Sequence, residues 1–168
     1  PEYVERFDPD YQGSLDARDF EKNAALHAGM PARDLEHLIA LYDAEICFTD
    51  DILGRLLEAL GQRGMLANAL LVITADHGEE FFEHGDKGHG HSLFDEVLRV
   101  PLIFHWPGHL EPGRVVPDQV CLIDLMPTLL ALAGSTRPSR EQGRDISPLL
   151  RGIALASEPA LCEVQMGR

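Results

Sequence analysis

A short segment near the middle of the chain gathers side chains that can hold a metal or move a proton. Asp76 and His77 are adjacent, and His84, His89 and His91 follow, so four of the eight histidines fall in this segment. Carboxylates are interspersed among them at Glu79, Glu80, Glu83 and Asp86. A metal site or an acid–base site requires this density of nitrogen and oxygen donors. We therefore predict a functional loop here, in preference to a solvated acidic loop with incidental histidines.

A strand and a long helix are predicted to position this loop. Residues 69–75 form an apolar, β-branched run with the composition of a strand buried on both faces. A helix is predicted over residues 31–60, because a proline opens the segment, apolar residues recur at helical spacing and glycines follow. His37 and the acidic residues of this helix are predicted to face solvent. Since helix, loop and buried strand make the second half of a βαβ crossover, Asp76 is expected at the carboxyl edge of a mostly parallel sheet.

The remaining elements are shorter. We predict a helix over 92–99, a strand over 101–106, an extended segment over 115–123, a helix over 125–132 with Asp124 as its N-cap, a surface loop over 135–144 and a last helical turn over 146–150. The chain as a whole, 1–168, is predicted to be one partial domain. It divides into an irregular lead-in (1–30), a core (31–134) and a C-terminal extension (135–168).

Composition limits the classes of partner. With 45% hydrophobic and 25% charged residues over 168 positions, the chain is typical of one globular domain. A formal net charge of −14 disfavours nucleic acid and anionic membrane surfaces as partners. It does not exclude an anionic substrate, because a bound metal can dominate the local charge. No apolar run in the sequence is long enough to cross a bilayer.

The cysteines and the first residue bear on compartment and completeness. Cys47, Cys121 and Cys162 are an odd number at wide spacing, which predicts neither a disulfide framework nor a zinc knuckle. Isolated thiols favour the reducing cytoplasm, while a periplasmic or secreted location stays open. The chain starts at Pro1 without a methionine, so we expect a piece of a longer protein and infer nothing from the lack of a signal peptide.

Asp76 and His77 suggest a particular kind of metal. An aspartate oxygen and a histidine nitrogen suit Zn²⁺, Mn²⁺ or another first-row ion better than an all-oxygen Ca²⁺ site. A catalytic metal needs three or four ligands, so others must come from His84, His89, His91, a nearby carboxylate or residues outside this chain. A metal facing an imidazole would stabilise the oxyanion of phosphoryl or sulfuryl transfer.

Several motifs in order resemble a known family. They are Thr74–Glu79 (TADHGE), Glu83–Gly85 (EHG), His89–Gly90 (HG), Ser92–Ile103 (SLFDEVLRVPLI), Trp106–Gly108 (WPG), Asp124–Gly134 (DLMPTLLALAG) and Gly143–Gly152 (GRDISPLLRG). Together they closely resemble the second half of the sulfatase family, within the alkaline-phosphatase-like superfamily. The resemblance implies a partial α/β/α sandwich around a mostly parallel sheet, and a metal-dependent hydrolase of sulfate esters.

The resemblance also implies roles for individual residues. Asp76 and His77 match the family's aspartate and its asparagine-or-histidine metal ligand. His89 falls near a lysine or histidine that contacts the sulfate or phosphate, which implies that it binds the ester or protonates the leaving group. Lys87 and His91 are competing candidates for binding the substrate. By the resemblance the metal is one Ca²⁺ ion, with Mn²⁺ or Zn²⁺ open because of His77.

Two departures from the family pattern keep alternatives open. The sequence lacks the Cys/Ser-x-Pro-x-Arg motif, so the formylglycine nucleophile and the early metal-binding carboxylates are expected outside this chain, which alone should be inactive. His77 stands where many sulfatases have asparagine, which leaves room for a phosphodiesterase, phosphonate monoester hydrolase or phosphoglycerol transferase. A non-catalytic binding module is the alternative of another class. The expected partner is a small-molecule sulfate or phosphate ester of unspecified organic part, and the oligomeric state stays open.

Overall fold

The structure, a computed structural model, describes residues 2–136 and 142–164. Within them the chain divides into two compact units. The first comprises residues 2–67, 77–100 and 164, and the second comprises residues 68–76, 101–136 and 142–163. The surface loop predicted over 135–144 and the extension predicted over 135–168 therefore lie partly outside the described residues.

The described residues form one long helix and several short helices and strands. The helices are α1 (Val4–Phe7), α2 (Ala32–Gln62), α3 (Asp95–Leu98), α4 (Leu125–Leu132) and α5 (Ser147–Leu150), with a 3₁₀ turn at Leu122–Asp124. The strands are β1 (Leu71–Thr74), β2 (Glu80–Phe81), β3 (Lys87–Gly88) and β4 (Leu102–His105). The predicted helix over 125–132 is confirmed, while the segment predicted as extended, 115–123, forms no strand. No helix among the described residues combines the length and apolar character that crossing a bilayer requires.

The α2 helix confirms the helix predicted from periodicity. Pro31 precedes its first residue with extended backbone, as suits a proline that cannot donate a hydrogen bond. Leu38, Ala40 and Ala44 of this helix are buried in the first unit. The helix ends in a turn that closes at Gly64, whose φ of 70° lies in the left-handed region open to glycine.

The prediction that His37 faces solvent is wrong. His37 is buried, its Nδ1 lies 2.7 Å from Oδ2 of Asp8, and its ring stacks on Tyr11 at 3.5 Å between centroids. Arg33, one turn earlier on α2, donates from Nη1 to the same Asp8 oxygen at 2.8 Å. The helical pattern misplaced His37 because the chain before α2 folds back and covers a polar stripe of the helix.

Asp8 should make the first unit sensitive to acid. The Arg33 guanidinium, and then the His37 ring, hold the pKa of Asp8 below its usual range. A lowered folded-state pKa stabilises the fold above the unfolded value of about 3.9, and this contribution is lost as pH falls through the lower folded value. We expect Asp8→Asn to flatten the loss of unfolding free energy in that acid window, measured by urea titration at stepped pH. Asp10→Asn, at an exposed neighbouring carboxylate, should leave the profile unchanged, and an equal flattening there would contradict this account.

The strands of the second unit pair differently from the prediction. β1 and β4 are antiparallel, with Leu71 opposite His105 and Thr74 opposite Leu102. Among the described residues each strand pair is antiparallel, so the mostly parallel sheet is not confirmed. The described residues before α2 form α1 and irregular chain, so the first strand of the predicted βαβ crossover is not found among them.

Asp124 organises the rest of the second unit. It is the N-cap residue of α4 as predicted, but its side chain makes no capping bond to that helix. Its carboxylate instead accepts hydrogen bonds from the backbone N–H groups of Cys121 and Arg144, at 3.0 and 2.9 Å. Thr128 donates to the Asp124 carbonyl and accepts from the N–H of Ile146, which joins α4 to the segment before α5.

Removing the Asp124 carboxylate should destabilise the second unit. Asp124 is 5% exposed, so Asp124→Ala leaves two part-buried N–H groups without their acceptor, at a cost of about 1–3 kcal/mol each. We expect a loss of about 2–5 kcal/mol in the free energy of unfolding measured with urea. Asp118→Ala, at an exposed position of the same unit, should cost less than about 0.5 kcal/mol. Equal losses in the two variants would contradict the assignment.

Candidate active site

The site of interest lies in the loop that follows β1. Gly78 is packed tightly in this loop: its N–H donates to the carbonyl of Val97 at 2.8 Å, and a Cβ there would overlap the carbonyl oxygen of Glu96. Only glycine allows this close approach to α3. The position of His77 within the first unit is thereby fixed by its neighbour. Asp76, which belongs to the second unit, directly precedes it in the chain.

A small hairpin brings His89 back to the start of the loop. β2 and β3 pair with Glu80 opposite Gly88 and Phe81 opposite Lys87. The next pair outward in this register is Glu79 and His89. The hairpin therefore places an acid and an imidazole side by side although ten residues separate them.

His89, Glu79 and His77 form one cluster. Nδ1 of His89 lies 3.2 and 3.3 Å from the two carboxylate oxygens of Glu79. The His89 ring stacks on His77, with centroids 3.8 Å apart and planes inclined by 24°. Because a carboxylate only accepts, Nδ1 of His89 carries the proton, which leaves Nε2 for a different partner.

The same reasoning fixes the tautomer of His77. Its Nδ1 lies 2.8 Å from the carbonyl oxygen of Gly78, which can only accept. Nδ1 therefore donates, and in the neutral ring the lone pair is on Nε2. A histidine that binds a metal is commonly oriented in this way by a backbone carbonyl.

Glu79 is a residue that the sequence reasoning left without a role. Ligand atoms of Glu21, Glu79 and His89 all lie within 4.8 Å of one another, which makes them a candidate group for holding a cation. Since Glu79 already accepts a hydrogen bond from His89 Nδ1, we interpret the group first as the surroundings that orient His89. In the sequence, the pairing of Glu79 with His89 is indicated only by their positions on either side of two short strands. That spacing becomes informative once the hairpin register is known.

Lys87 is tied down by the chain before α2. Its ammonium donates to the carbonyls of Asn23 and Leu26, at 2.8 and 3.0 Å, and lies 5.5 Å from the ring centroid of Phe20. These contacts favour a role in holding the hairpin against the lead-in segment. Its predicted role in binding the substrate stays a prediction.

His91 lies against a buried carboxylate. Glu80 is 1% exposed and accepts a hydrogen bond from the hydroxyl of Ser92 at 2.9 Å. Nε2 of His91 lies 3.9 Å from a Glu80 oxygen and 3.7 Å from Asp86, beyond hydrogen-bond length. Among the described residues, neither this nitrogen nor Oε1 of Glu80 has a hydrogen-bond partner. The role predicted for His91 in binding the substrate is likewise a prediction.

His84 is held apart from the cluster by its own partners. Its Nε2 lies 3.2 Å from Glu96 on α3, and its ring stacks on Phe94 at 3.5 Å between centroids. These contacts place His84 against α3, whereas His77 and His89 stack on each other. Of the four loop histidines, the structure brings His77 and His89 into ring contact.

Comparison with known proteins identifies the family. The Sulfatase family profile matches residues 1–135. Mouse steryl-sulfatase is 38% identical over 119 residues, which cover 62% of this chain and 19% of the relative. Human arylsulfatase A is 35% identical over 120 residues, which cover 67% and 24%. Phosphonate monoester hydrolase from Silicibacter pomeroyi has a similar solved structure, with a TM-score of 0.70 and 32% identity over 77% of this chain and 25% of that one.

These likenesses confirm an alkaline-phosphatase-like fold in partial form. The chain spans about a fifth to a quarter of the length of the relatives it matches. Its relatives are sulfuric ester hydrolases, as their names state. The family match covers most of the chain, including the loop with His77 and His89. The chain belongs to the sulfatase family.

Proposed function

We propose that the full-length protein hydrolyses sulfate esters, with Asp76 and His77 as ligands of a divalent metal. The observation that carries the proposal is the stack of His77 on His89, with Glu79 behind His89, in a chain of the sulfatase family. A bound metal would offset negative charge on the ester oxygens. The nucleophile is expected outside this chain.

The donor chemistry fits such a metal. Asp76 offers carboxylate oxygens, and His77 offers the Nε2 lone pair because its Nδ1 donates to Gly78. A mixed oxygen and nitrogen set suits Mn²⁺ or Zn²⁺, while Ca²⁺ is what the family resemblance implies. Two ligands leave room for others, in keeping with carboxylates supplied by another part of the protein.

His89 is proposed to contact the ester itself. With Nδ1 donating to Glu79, Nε2 is an acceptor in the neutral ring, so His89 can donate from Nε2 to an ester oxygen or to the departing alkoxide when the ring is in its imidazolium form. Glu79, which is 16% exposed at its side chain, keeps the ring from turning over. We assign His89 as the catalytic residue and Glu79 as a positioning residue. His91 and Lys87 remain candidates for binding the substrate, the latter in competition with its backbone contacts.

Hydrolysis of phosphonate or phosphate esters is the second candidate. It is supported by the likeness to a phosphonate monoester hydrolase structure and by the histidine at position 77. Both chemistries place a tetrahedral anion beside a metal, so the fold does not distinguish them.

A substrate panel on the full-length protein tests the proposal. We expect the highest kcat/KM for 4-nitrophenyl sulfate, with 4-nitrophenyl phosphate and 4-nitrophenyl phenylphosphonate as the comparison. A higher kcat/KM for the phosphonate ester would favour the second candidate. Absence of turnover of all three, in metal-loaded protein with an intact nucleophile, would contradict both.

A further inference from the structure

A cavity within the first unit opens beside His89. Its volume is about 750 Å³, within the range that holds a small organic ligand. The residues that line it come from the lead-in segment, from α2 and from the hairpin. Glu79 and His89 form part of its wall, so the cavity adjoins the group proposed to contact the ester.

The wall is largely apolar. Its apolar residues include Leu15, Phe20, Leu38, Leu41, Tyr42 and Phe81. The aromatic ring of Phe81 packs edge to face against those of Phe20 and Tyr42, with ring centroids 5.8 and 5.2 Å apart. Such a surface stabilises a ligand through buried apolar area, at about 25 cal/mol per Å².

The charged groups of the wall are mainly acidic. Asp16, Glu21, Glu45 and Glu79 line the cavity, against the single arginine Arg18. Arg18 already donates to Asp16, and Glu79 already accepts from His89. Partial burial raises the pKa of Tyr42, and the negative charge of Glu79 raises it further. An anionic group of a ligand in this cavity would be repelled by Glu21 and Glu45. Arg18, the arginine of the wall, is already paired with Asp16.

We infer that this cavity binds the organic part of the ester and selects an apolar group without negative charge, such as an aromatic or alicyclic alcohol. Sugars that carry several sulfates or carboxylates would be excluded by the acidic wall. The inference rests on the proposed ester hydrolysis, and it makes Phe20 and Glu45 residues that determine specificity. The lead-in segment thereby becomes part of the substrate site, held there by Lys87.

Two fluorogenic esters with matched leaving groups test the inference on the full-length protein. They are the sulfates of 4-methylumbelliferone and of 7-hydroxycoumarin-4-acetic acid, which differ in charge far from the reacting oxygen. We expect kcat/KM for the neutral ester to be at least about tenfold higher, which corresponds to about 1.4 kcal/mol, because the carboxylates of the wall repel the added carboxylate. Glu45→Lys should reduce this ratio at least about fivefold. Glu58→Lys, an equal charge change on α2 outside the cavity wall, should leave the ratio unchanged.

A second pair of variants tests the volume. Ala17→Trp fills the cavity and should raise KM for the neutral ester, whereas Ala59→Trp, at an exposed position of α2, should not. Direct binding of the two coumarin alcohols, followed by their fluorescence, provides a readout without turnover. There too we expect the neutral alcohol to bind more tightly in the wild type and the preference to shrink in Glu45→Lys.

The outcomes separate the inference from the proposed function. Hydrolysis with equal kcat/KM for the two esters and no effect of Ala17→Trp would overturn the inference and leave the hydrolysis standing. A preserved preference for the neutral alcohol without hydrolysis would contradict the hydrolysis and support the ligand preference of the cavity. Absence of hydrolysis together with absence of a preference for the neutral alcohol would overturn both the proposed function and the inference.

Discussion

Replacing Asp76 by alanine should remove the metal and nearly all turnover from the full-length protein. If the metal supplies about 4 kcal/mol of charge stabilisation in the transition state, its loss lowers kcat/KM by about 10³-fold. We expect the same of His77→Ala, because its Nε2 lone pair is oriented by the bond from Nδ1 to Gly78. The measurements are metal content by elemental analysis and the rate of sulfate ester hydrolysis.

The asparagine variant sharpens this prediction. His77→Asn replaces a nitrogen ligand by an amide oxygen, so it should retain more activity than His77→Ala and shift the metal preference toward Ca²⁺. His109→Ala is the matched control, since His109 stacks on Trp106 in the second unit. Wild-type metal content and turnover in both Asp76→Ala and His77→Ala would show that these residues are not the ligands.

Loss of the His89 imidazole is the second large effect that we expect. General acid catalysis contributes about 10²–10⁴-fold, so His89→Ala should lower kcat by that factor. The loss should be greater for alkyl sulfates than for 4-nitrophenyl sulfate, because the better leaving group needs less protonation. A steeper dependence of kcat on the leaving-group pKa is therefore the diagnostic readout.

Variants around His89 separate its role from those of its neighbours. Glu79→Ala leaves the imidazole in place but removes the acceptor at Nδ1, and a positioning role predicts a loss of about 10–100-fold. Lys87→Met should destabilise the fold with little change in kcat, because its bonds are to Asn23 and Leu26. If Lys87→Met lowers kcat as much as His89→Ala, or if the His89→Ala loss is independent of the leaving group, the assignment of His89 is wrong.

Local patterns in the sequence predicted the parts of the fold that depend on neighbouring residues. The helix predicted over 31–60 matches α2, because its apolar spacing and the flanking proline and glycines act within a few turns. The predicted strands over 69–75 and 101–106 contain β1 and β4. Their antiparallel pairing could not be predicted, since the chosen partner depends on chain far apart in sequence.

In the candidate site, too, local patterns predicted some features, while others depend on contacts between residues far apart in sequence. Adjacent Asp76 and His77 after a β-branched run identified the loop, and the order of motifs identified the family. The pairing of Glu79 with His89 depends on the register of the β2–β3 hairpin, and no local pattern specifies it. Burial of His37 against Asp8 and Tyr11 depends on a lead-in segment without periodicity. The acidic cavity beside His89 was missed because that same segment supplies much of its wall.

The most direct test of the central claim is a calorimetric titration of divalent metal into metal-stripped full-length protein. Wild type and Glu21→Gln should each bind one ion tightly, because Glu21 belongs to the surroundings of His89 and not to the metal site proposed here. Asp76→Ala and His77→Ala should lose that binding. Metal binding that survives in Asp76→Ala and His77→Ala but is lost in Glu21→Gln would contradict the account and place the metal between Glu21, Glu79 and His89.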